Sequence, residues 1–311
     1  MKAFIFPGQG SQSIGMGKAL ADASPIARAV FQEVDDALDQ HLYRLMTEGF
    51  ERDLTLTENA QPAIMANAIA TLRVLEREGN IKLADKASFV AGHSLGEYTA
   101  LCAADAMDLA TTARLLKTRG QAMQAAVPVG EGAMAVLLGL DFETAKAVAE
   151  EAAQGEVCEA ANDNGGGQVV VSGHTDAIDR AIQIAKTKGA KRAMTLPVSA
   201  PFHCALMAPA ADVMATALAA ARIQSPLVPV FANVTAAQVS DPNVIRDLLV
   251  QQVTGTVRWR ESVEAMWDAG VTEVVEFGGK VLGPMVRRIS PDMKATSIVT
   301  MNDIESLLAT L

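Results

Sequence analysis

The chain has 311 residues, of which 50% are hydrophobic and 20% charged, and it carries a formal net charge of -10. Length and apolar content suffice for a large domain plus a smaller one, each with its own core. The acidic balance, with no run of five like charges, argues against a nucleic-acid-binding surface, and no apolar run is long enough to span a bilayer.

Lys2-Ala3-Phe4-Ile5-Phe6 reads as a strand, so no secretory signal is expected and the cytoplasm is the expected location. The three cysteines, Cys102, Cys158 and Cys204, are scattered without a C-x-x-C pair, which suggests buried thiols in a reducing compartment rather than disulfides or zinc. After the first strand comes a glycine-rich loop, Pro7 to Lys18. It is not a phosphate cradle, because Gln12 and Ala19 stand where a Walker loop needs glycine and a hydroxyl residue, and the dinucleotide pattern breaks at Ser13. The better expectation is a tight loop whose small residues bring backbone amides close to a ligand. Helical periodicity then dominates from Ser24 to about Gly79, with Ala63, Met65, Ala66, Ile69, Leu72 and Leu75 forming one apolar stripe.

The next stretch, Gly92-His93-Ser94-Leu95-Gly96, has the Gly-x-Ser-x-Gly form between a mostly apolar run, Ala87 to Ala91, and a helix-competent one, Glu97 to Ala104. That is the setting of a nucleophile elbow, in which a strand turns sharply into a helix and presents a serine hydroxyl. Only residues without side chains let the two segments approach closely, and the free amide of Leu95 at the helix start can face an oxyanion. Asp108 opens another helix that carries Arg114, Lys117 and Arg119, and Val127-Pro128-Val129-Gly130 breaks it. From there strands are expected at 133–140, 157–161, 168–172 and 191–196, with helices at 141–153 and 175–188. This β-α-β-β-α-β order is that of a split ferredoxin-like unit. The remainder returns to α/β alternation: a helix from about Ala205, a strand near 228–231, helices around 243–253 and 259–268, and strands at 273–277 and 295–299. The expected fold is therefore a large α/β-hydrolase-like domain, residues 1–126 and 198–311, with a mostly parallel sheet and an inserted small ferredoxin-like subdomain, residues 127–197.

A serine needs a base within hydrogen-bond reach, and only four histidines exist. His41 sits among Asp35, Asp36 and Asp39 and reads as a solvated helix residue. His93 neighbours the serine, but consecutive side chains diverge, so packing or orienting the turn suits it better. His174 follows a buried strand and suits capping of the next helix. His203 remains, in a loop where the chain re-enters the large domain.

Five motifs then recur in one order: Pro7-Gly8-Gln9-Gly10-Ser11-Gln12, Gly92-His93-Ser94-Leu95-Gly96-Glu97-Tyr98, Arg119-Gly120, Gly167-Gln168-Val169-Val170-Val171-Ser172-Gly173 and Phe202-His203-Cys204-Ala205-Leu206-Met207. Over Phe6 to about Ile289 the chain closely resembles the malonyl-CoA:acyl carrier protein transacylase family. The resemblance implies that Ser94 is the nucleophile and His203 its base, that the backbone amides of Gln9 and Leu95 form the oxyanion hole, and that the backbone carbonyl of Gln252 orients the imidazole. It further implies that Arg119 grips the malonyl carboxylate and that Phe202 matches the bulky residue of malonyl-selective relatives, although core packing explains a phenylalanine equally simply. Malonyl-CoA and acyl carrier protein are the implied partners. No cofactor of its own is implied, since the phosphopantetheine belongs to the carrier, and a monomer is expected. The competing readings are a serine thioesterase or hydrolase, a related acyltransferase of polyketide synthesis, and an inactive carrier-binding subunit. One departure from the family is a turn at Gly278-Gly279 that is one residue short, so altered local geometry is expected there. Asn162 and Asn164 before Gly165 suit either pantetheine hydrogen bonds or left-handed turn positions, the latter being commoner. Lys186, Lys188, Lys191 and Arg192 offer a basic patch to an acidic carrier protein, with a solvated face as the simpler reading.

Overall fold

The computed structural model describes Met1–Leu311. Its ten strands in chain order are β1 (Lys2–Phe6), β2 (Phe89–Gly92), β3 (Gly132–Leu138), β4 (Cys158–Asp163), β5 (Gln168–His174), β6 (Arg192–Thr195), β7 (Val230–Ala232), β8 (Ala237–Val239), β9 (Glu273–Phe277) and β10 (Lys294–Ile298). They divide into a six-stranded sheet, β10-β9-β1-β2-β7-β8, and a four-stranded sheet, β4-β5-β3-β6. Every pairing in the first is parallel except β7 with β8, and every pairing in the second is antiparallel. The architecture is a mixed α/β fold with a mostly parallel sheet and a separate antiparallel one.

Strand β1 is a continuous apolar run because both faces of this sheet are covered. Phe4 and Phe6 enter the main core with Ile64 and Ala68, while the alternate residues Ala3 and Ile5 join Trp259, Val263 and Met266 in a second core. The helix Thr57–Glu78 runs through the main core. Its expected apolar stripe is buried, and so are all the residues from Asn59 to Leu72, polar ones included. Such all-round burial marks a central helix rather than a surface one.

The smaller sheet obeys the same alternation on a smaller scale. Ala135 and Leu137 of β3 face the helices Phe142–Ala153 and Thr175–Thr187 in a core of 16 buried residues, whereas Met134 and Val136 belong to the main core. One face thus closes the small unit and the other fastens it to the large one. A parallel bridge between Asn162 and Val257 adds a backbone tie at the junction.

Five elements were not expected from the sequence: the helices Lys18–Ala23, Leu83–Lys86, Leu282–Ile289 and Met301–Leu308, and strand β8. Strand β8 has three residues and is held by edge pairing with β7, too short a run for periodicity to register. The helix Leu282–Ile289 opens beneath a carboxylate of the preceding strand: Glu276 of β9 accepts from the amides of Val281 (2.8 Å), Leu282 (2.9 Å) and Gly283 (2.9 Å) and from the Ser297 hydroxyl (3.0 Å). The short Gly278-Gly279 turn lies between this carboxylate and those amides, with Gly278 in the left-handed region (φ 76°). The last helix had a readable start, a capping box between Thr300 and Asp303.

Candidate active site

The site lies at the carboxyl ends of the central strands, where open parallel sheets place their ligands. Phe6 of β1 aligns with Gly92 of β2, and Ala91 of β2 with Phe231 of β7. Ser94 stands between β2 and the helix Leu95–Ala103 at φ 55°, ψ -115°. An L-residue avoids this region, at a cost of about 1–3 kcal/mol, so the surroundings must enforce it. Close backbone contact does so. A Cβ at Gly92 would overlap the carbonyl of Gly96, and one at Gly96 would overlap the carbonyl of Phe6. Asn233, just past β7, staples the turn: its Oδ1 accepts from the Ser94 amide (2.8 Å) and its Nδ2 donates to the Gly92 carbonyl (2.7 Å).

The histidine that elimination singled out meets this serine. Nε2 of His203 lies 2.8 Å from Ser94 Oγ, and Nδ1 lies 2.8 Å from the backbone carbonyl of Gln252. A carbonyl oxygen can only accept, so Nδ1 carries the proton and Nε2 turns its lone pair to the serine hydroxyl. Burial, reinforced by the Arg119 charge, pushes the imidazole pKa down to about 3. The ring is therefore neutral and able to take a proton at neutral pH. His203 itself has positive φ (58°), a second strained residue at the reacting centre.

Arg119, on the helix Leu109–Ala125, is only 1% exposed. One terminal nitrogen donates to Gln61 Oε1 (2.8 Å); the other donates to Gln252 Oε1 (2.9 Å) and to Ser94 Oγ (3.3 Å). The Tyr98 ring packs against it, with the guanidinium carbon 5.6 Å from the ring centroid. No carboxylate lies within ion-pair distance, although buried cations are normally paired. The nearest buried acid is Glu97, which reaches it through Gln252: the Gln252 Nε2 donates to Glu97 Oε2 (2.7 Å). Burial raises the Glu97 pKa to about 7.

The two amides expected to face an oxyanion are free of protein acceptors by different routes. The Gln9 amide, in the loop after β1, donates to nothing in the protein. Leu95 opens its helix, so its N–H is one of the donors that no helical carbonyl can satisfy. The loop and the elbow are tied by the His93 amide, which donates to the Phe6 carbonyl (3.1 Å). Phe202 is buried in the main core, beside His203 in the chain.

Other expectations resolve as follows. His41 is exposed, and His93 packs against Trp259 (ring centroids 5.8 Å apart) with Nε2 2.8 Å from Asn164 Oδ1. His174 stands at the start of its helix but does not cap it. Its Nδ1 accepts from the Val157 amide (2.9 Å), because the chain before β4 passes beside it. Asn162 lies in β4, and the left-handed turn positions expected of the asparagines belong to Gly165, Gly166 and Gly167. Lys186, Lys188, Lys191 and Arg192 are exposed, with Lys188 3.3 Å from Glu151. All three cysteines are buried and free, and burial pushes their pKa values up, to about 12 for Cys102 and Cys158 and about 11 for Cys204, which makes them inert thiols at neutral pH.

Sequence reasoning missed Gln61, Asn233, Glu97 and the side chain of Gln252. Glu97 stood inside the elbow motif, and its position on the helix could have directed it inward. Gln61 sat in a run of buried residues on the central helix, where a polar side chain must find a partner. Nothing in the chain near Asn233 signals its role.

The acyl transferase domain model matches residues 3–278. The malonyl CoA-acyl carrier protein transacylase of Escherichia coli strain K12 is 43% identical over 297 residues, 95% of each chain. The solved acyl-carrier-protein-S-malonyltransferase of Bartonella henselae superposes with a TM-score of 0.97 at 53% identity, covering 99% of this chain and 98% of that one. A solved complex of a type II PKS acyl-carrier protein with its malonyl-transacylase matches with a TM-score of 0.96 at 40% identity, over 100% of this chain and 99% of that one. By sequence and fold along nearly its whole length, the chain belongs to the acyl transferase family, among the malonyl CoA-acyl carrier protein transacylases.

Proposed function

We propose that the protein transfers the malonyl group from malonyl-CoA to the phosphopantetheine thiol of an acyl carrier protein, supplying extender units for fatty acid synthesis. One observation carries this reading: a buried guanidinium without a carboxylate partner lies 3.3 Å from the same hydroxyl that a neutral imidazole contacts at 2.8 Å. A charged acyl group and an activated nucleophile are thereby served at one point.

In the first half-reaction Ser94 Oγ attacks the thioester carbonyl while His203 Nε2 takes the hydroxyl proton. The negative charge that develops on the carbonyl oxygen is met by the amides of Gln9 and Leu95, donors of a kind worth about 2.7–4 kcal/mol each in the transition state. Collapse breaks the carbon–sulfur bond, and His203 returns its proton to the departing thiolate of CoA. In the second half-reaction the carrier thiol attacks the malonyl-serine ester by the same steps in reverse. The Gln252 carbonyl holds the imidazole in the required tautomer without a carboxylate. Arg119 offers two parallel N–H groups to the malonyl carboxylate, a geometry lysine lacks. Phe202, next to the base in sequence, limits the bulk of the acyl chain.

On this reading the large unit, residues 1–126 and 198–311, is α/β-hydrolase-like in its strand–elbow–helix arrangement, and residues 127–197 form a ferredoxin-like subdomain. The enzyme works as a cytoplasmic monomer with no cofactor of its own. No helix is long and apolar enough to cross a membrane.

Radiolabelled malonyl-CoA mixed with purified protein tests the proposal. The expected result is a malonyl-enzyme labelled at Ser94 that discharges rapidly to carrier thiol and slowly to water, with no label retained by Ser94→Ala. Rapid release of free malonate would identify a hydrolase instead.

A further inference from the structure

We infer that the side-chain amides of Gln61 and Gln252 are positioning residues for acyl selectivity: two neutral acceptors that hold the Arg119 guanidinium while leaving its charge for the carboxylate of the acyl donor. This rests on the transferase reading above and assigns a task to two side chains on opposite sides of the cation.

A fully buried guanidinium has five N–H groups to satisfy and a desolvation cost that proteins usually offset with an internal carboxylate. Here the partners are the Gln61 amide oxygen at 2.8 Å, the Gln252 amide oxygen at 2.9 Å, the Ser94 hydroxyl at 3.3 Å and a tyrosine ring, all uncharged. The orientation of each amide is dictated. Gln252 Nε2 donates to Glu97 Oε2 (2.7 Å) and to the Ser94 carbonyl (3.0 Å), so its oxygen must face the cation. Gln61 Nε2 points to the soft Met123 sulfur at 3.7 Å and leaves its oxygen on the guanidinium. Both glutamines are essentially inaccessible, 1% and 0% exposed. Arg119 Nε has no partner at all, and the Tyr98 hydroxyl beside it is likewise unpaired. The site therefore has a rigidly held cation with unused hydrogen-bonding capacity and no counter-charge in contact. Glutamate in place of Gln61 would preserve the shape and remove that property, whereas at Gln252 it would set a carboxylate oxygen against Glu97 and the Ser94 carbonyl.

The decisive pair of variants is Gln61→Glu and Gln61→Met, assayed for acyl loading from malonyl-CoA and acetyl-CoA in single turnovers. Gln61→Glu places a carboxylate on Arg119, and the malonyl-to-acetyl ratio of kcat/KM is expected to fall at least roughly 30-fold, the lower end of the scale for losing a buried charge partner. Gln61→Met removes the acceptor without neutralising the cation, so both donors slow together and the ratio stays within about threefold of the parent, below the 1.4 kcal/mol that a tenfold change represents. An unchanged ratio in Gln61→Glu, or an equal fall in both variants, overturns the inference. If Gln61→Glu does not fold, the exchanged pair Glu97→Gln with Gln252→Glu brings a carboxylate to Arg119 from the other side while keeping a donor between positions 97 and 252, with the same ratio as readout. Failure of the parent protein to load malonyl at all would sink the functional reading itself, a result separable from any change in ratio.

Discussion

The elbow region and the small antiparallel sheet are built from the same apolar alphabet and differ in what they do with the exceptions. In the small unit the left-handed backbone falls on glycines and on Gln154 at a helix end, and its buried acid, Asp163, pairs with Arg260 at 2.8 Å. At the elbow the left-handed residues are Ser94 and His203 themselves, and Arg119 is buried without an anion. Local rules are kept where the task is to be a scaffold and broken where charge and strain are to be used on a substrate. The large core around the elbow is what tolerates those costs.

The contrast can be broken most severely at the backbone. Gly92→Ala forces a methyl group into the Gly96 carbonyl, and a loss of at least about 4 kcal/mol of stability is expected, because neither segment can retreat from β1. Urea unfolding, or failure to recover folded protein, reads it out, and near-parental stability would mean the elbow is looser than described. Next in size, Arg119→Ala is expected to weaken malonyl transfer by roughly 2–5 kcal/mol while improving the relative use of uncharged acyl groups. Unchanged acyl preference would remove Arg119 from the site. The small unit should respond in the opposite sense. Ile178→Ala, in its closed core, is expected to cost about 2–4 kcal/mol in unfolding experiments and to leave the malonyl-to-acetyl ratio untouched.

The finest test is of pH. With its pKa pushed down to about 3 by burial and by Arg119, His203 does not gain a proton between pH 7.5 and 5.5, whereas an ordinary imidazole near 6.5 would lose about tenfold in base over that range. Malonyl loading in a Glu97→Gln background, which removes the carboxyl raised to about 7, is therefore expected to change by less than about threefold. A tenfold acid limb centred near 6.5 would show that the imidazole is solvated. The two groups also pull stability in opposite directions. Below about 6.5 the unfolded chain protonates His203 and the native one does not, so that contribution declines as pH falls toward 3. Glu97 holds a proton in the native state that the unfolded chain releases above about 4.5, so its contribution declines as pH rises toward 7.

Much of this molecule was legible before folding was considered. Alternation of strand and helix patterns located both sheets, the glycine spacing around Ser94 announced a forced turn, and scarcity of histidine left His203 as the ring to meet Ser94, because each of these signals is local or a matter of elimination. Only the tertiary structure decided which neutral groups surround Arg119 and that Asn233 staples the turn. Those partners lie 19 to 158 residues apart from one another around Gln252 alone, and no periodicity connects them. A buried polar side chain advertises that it needs a partner, but hydrogen bonding is set by position in space, and the burial that leaves an arginine without an anion or an imidazole neutral exists only once the core has closed around it.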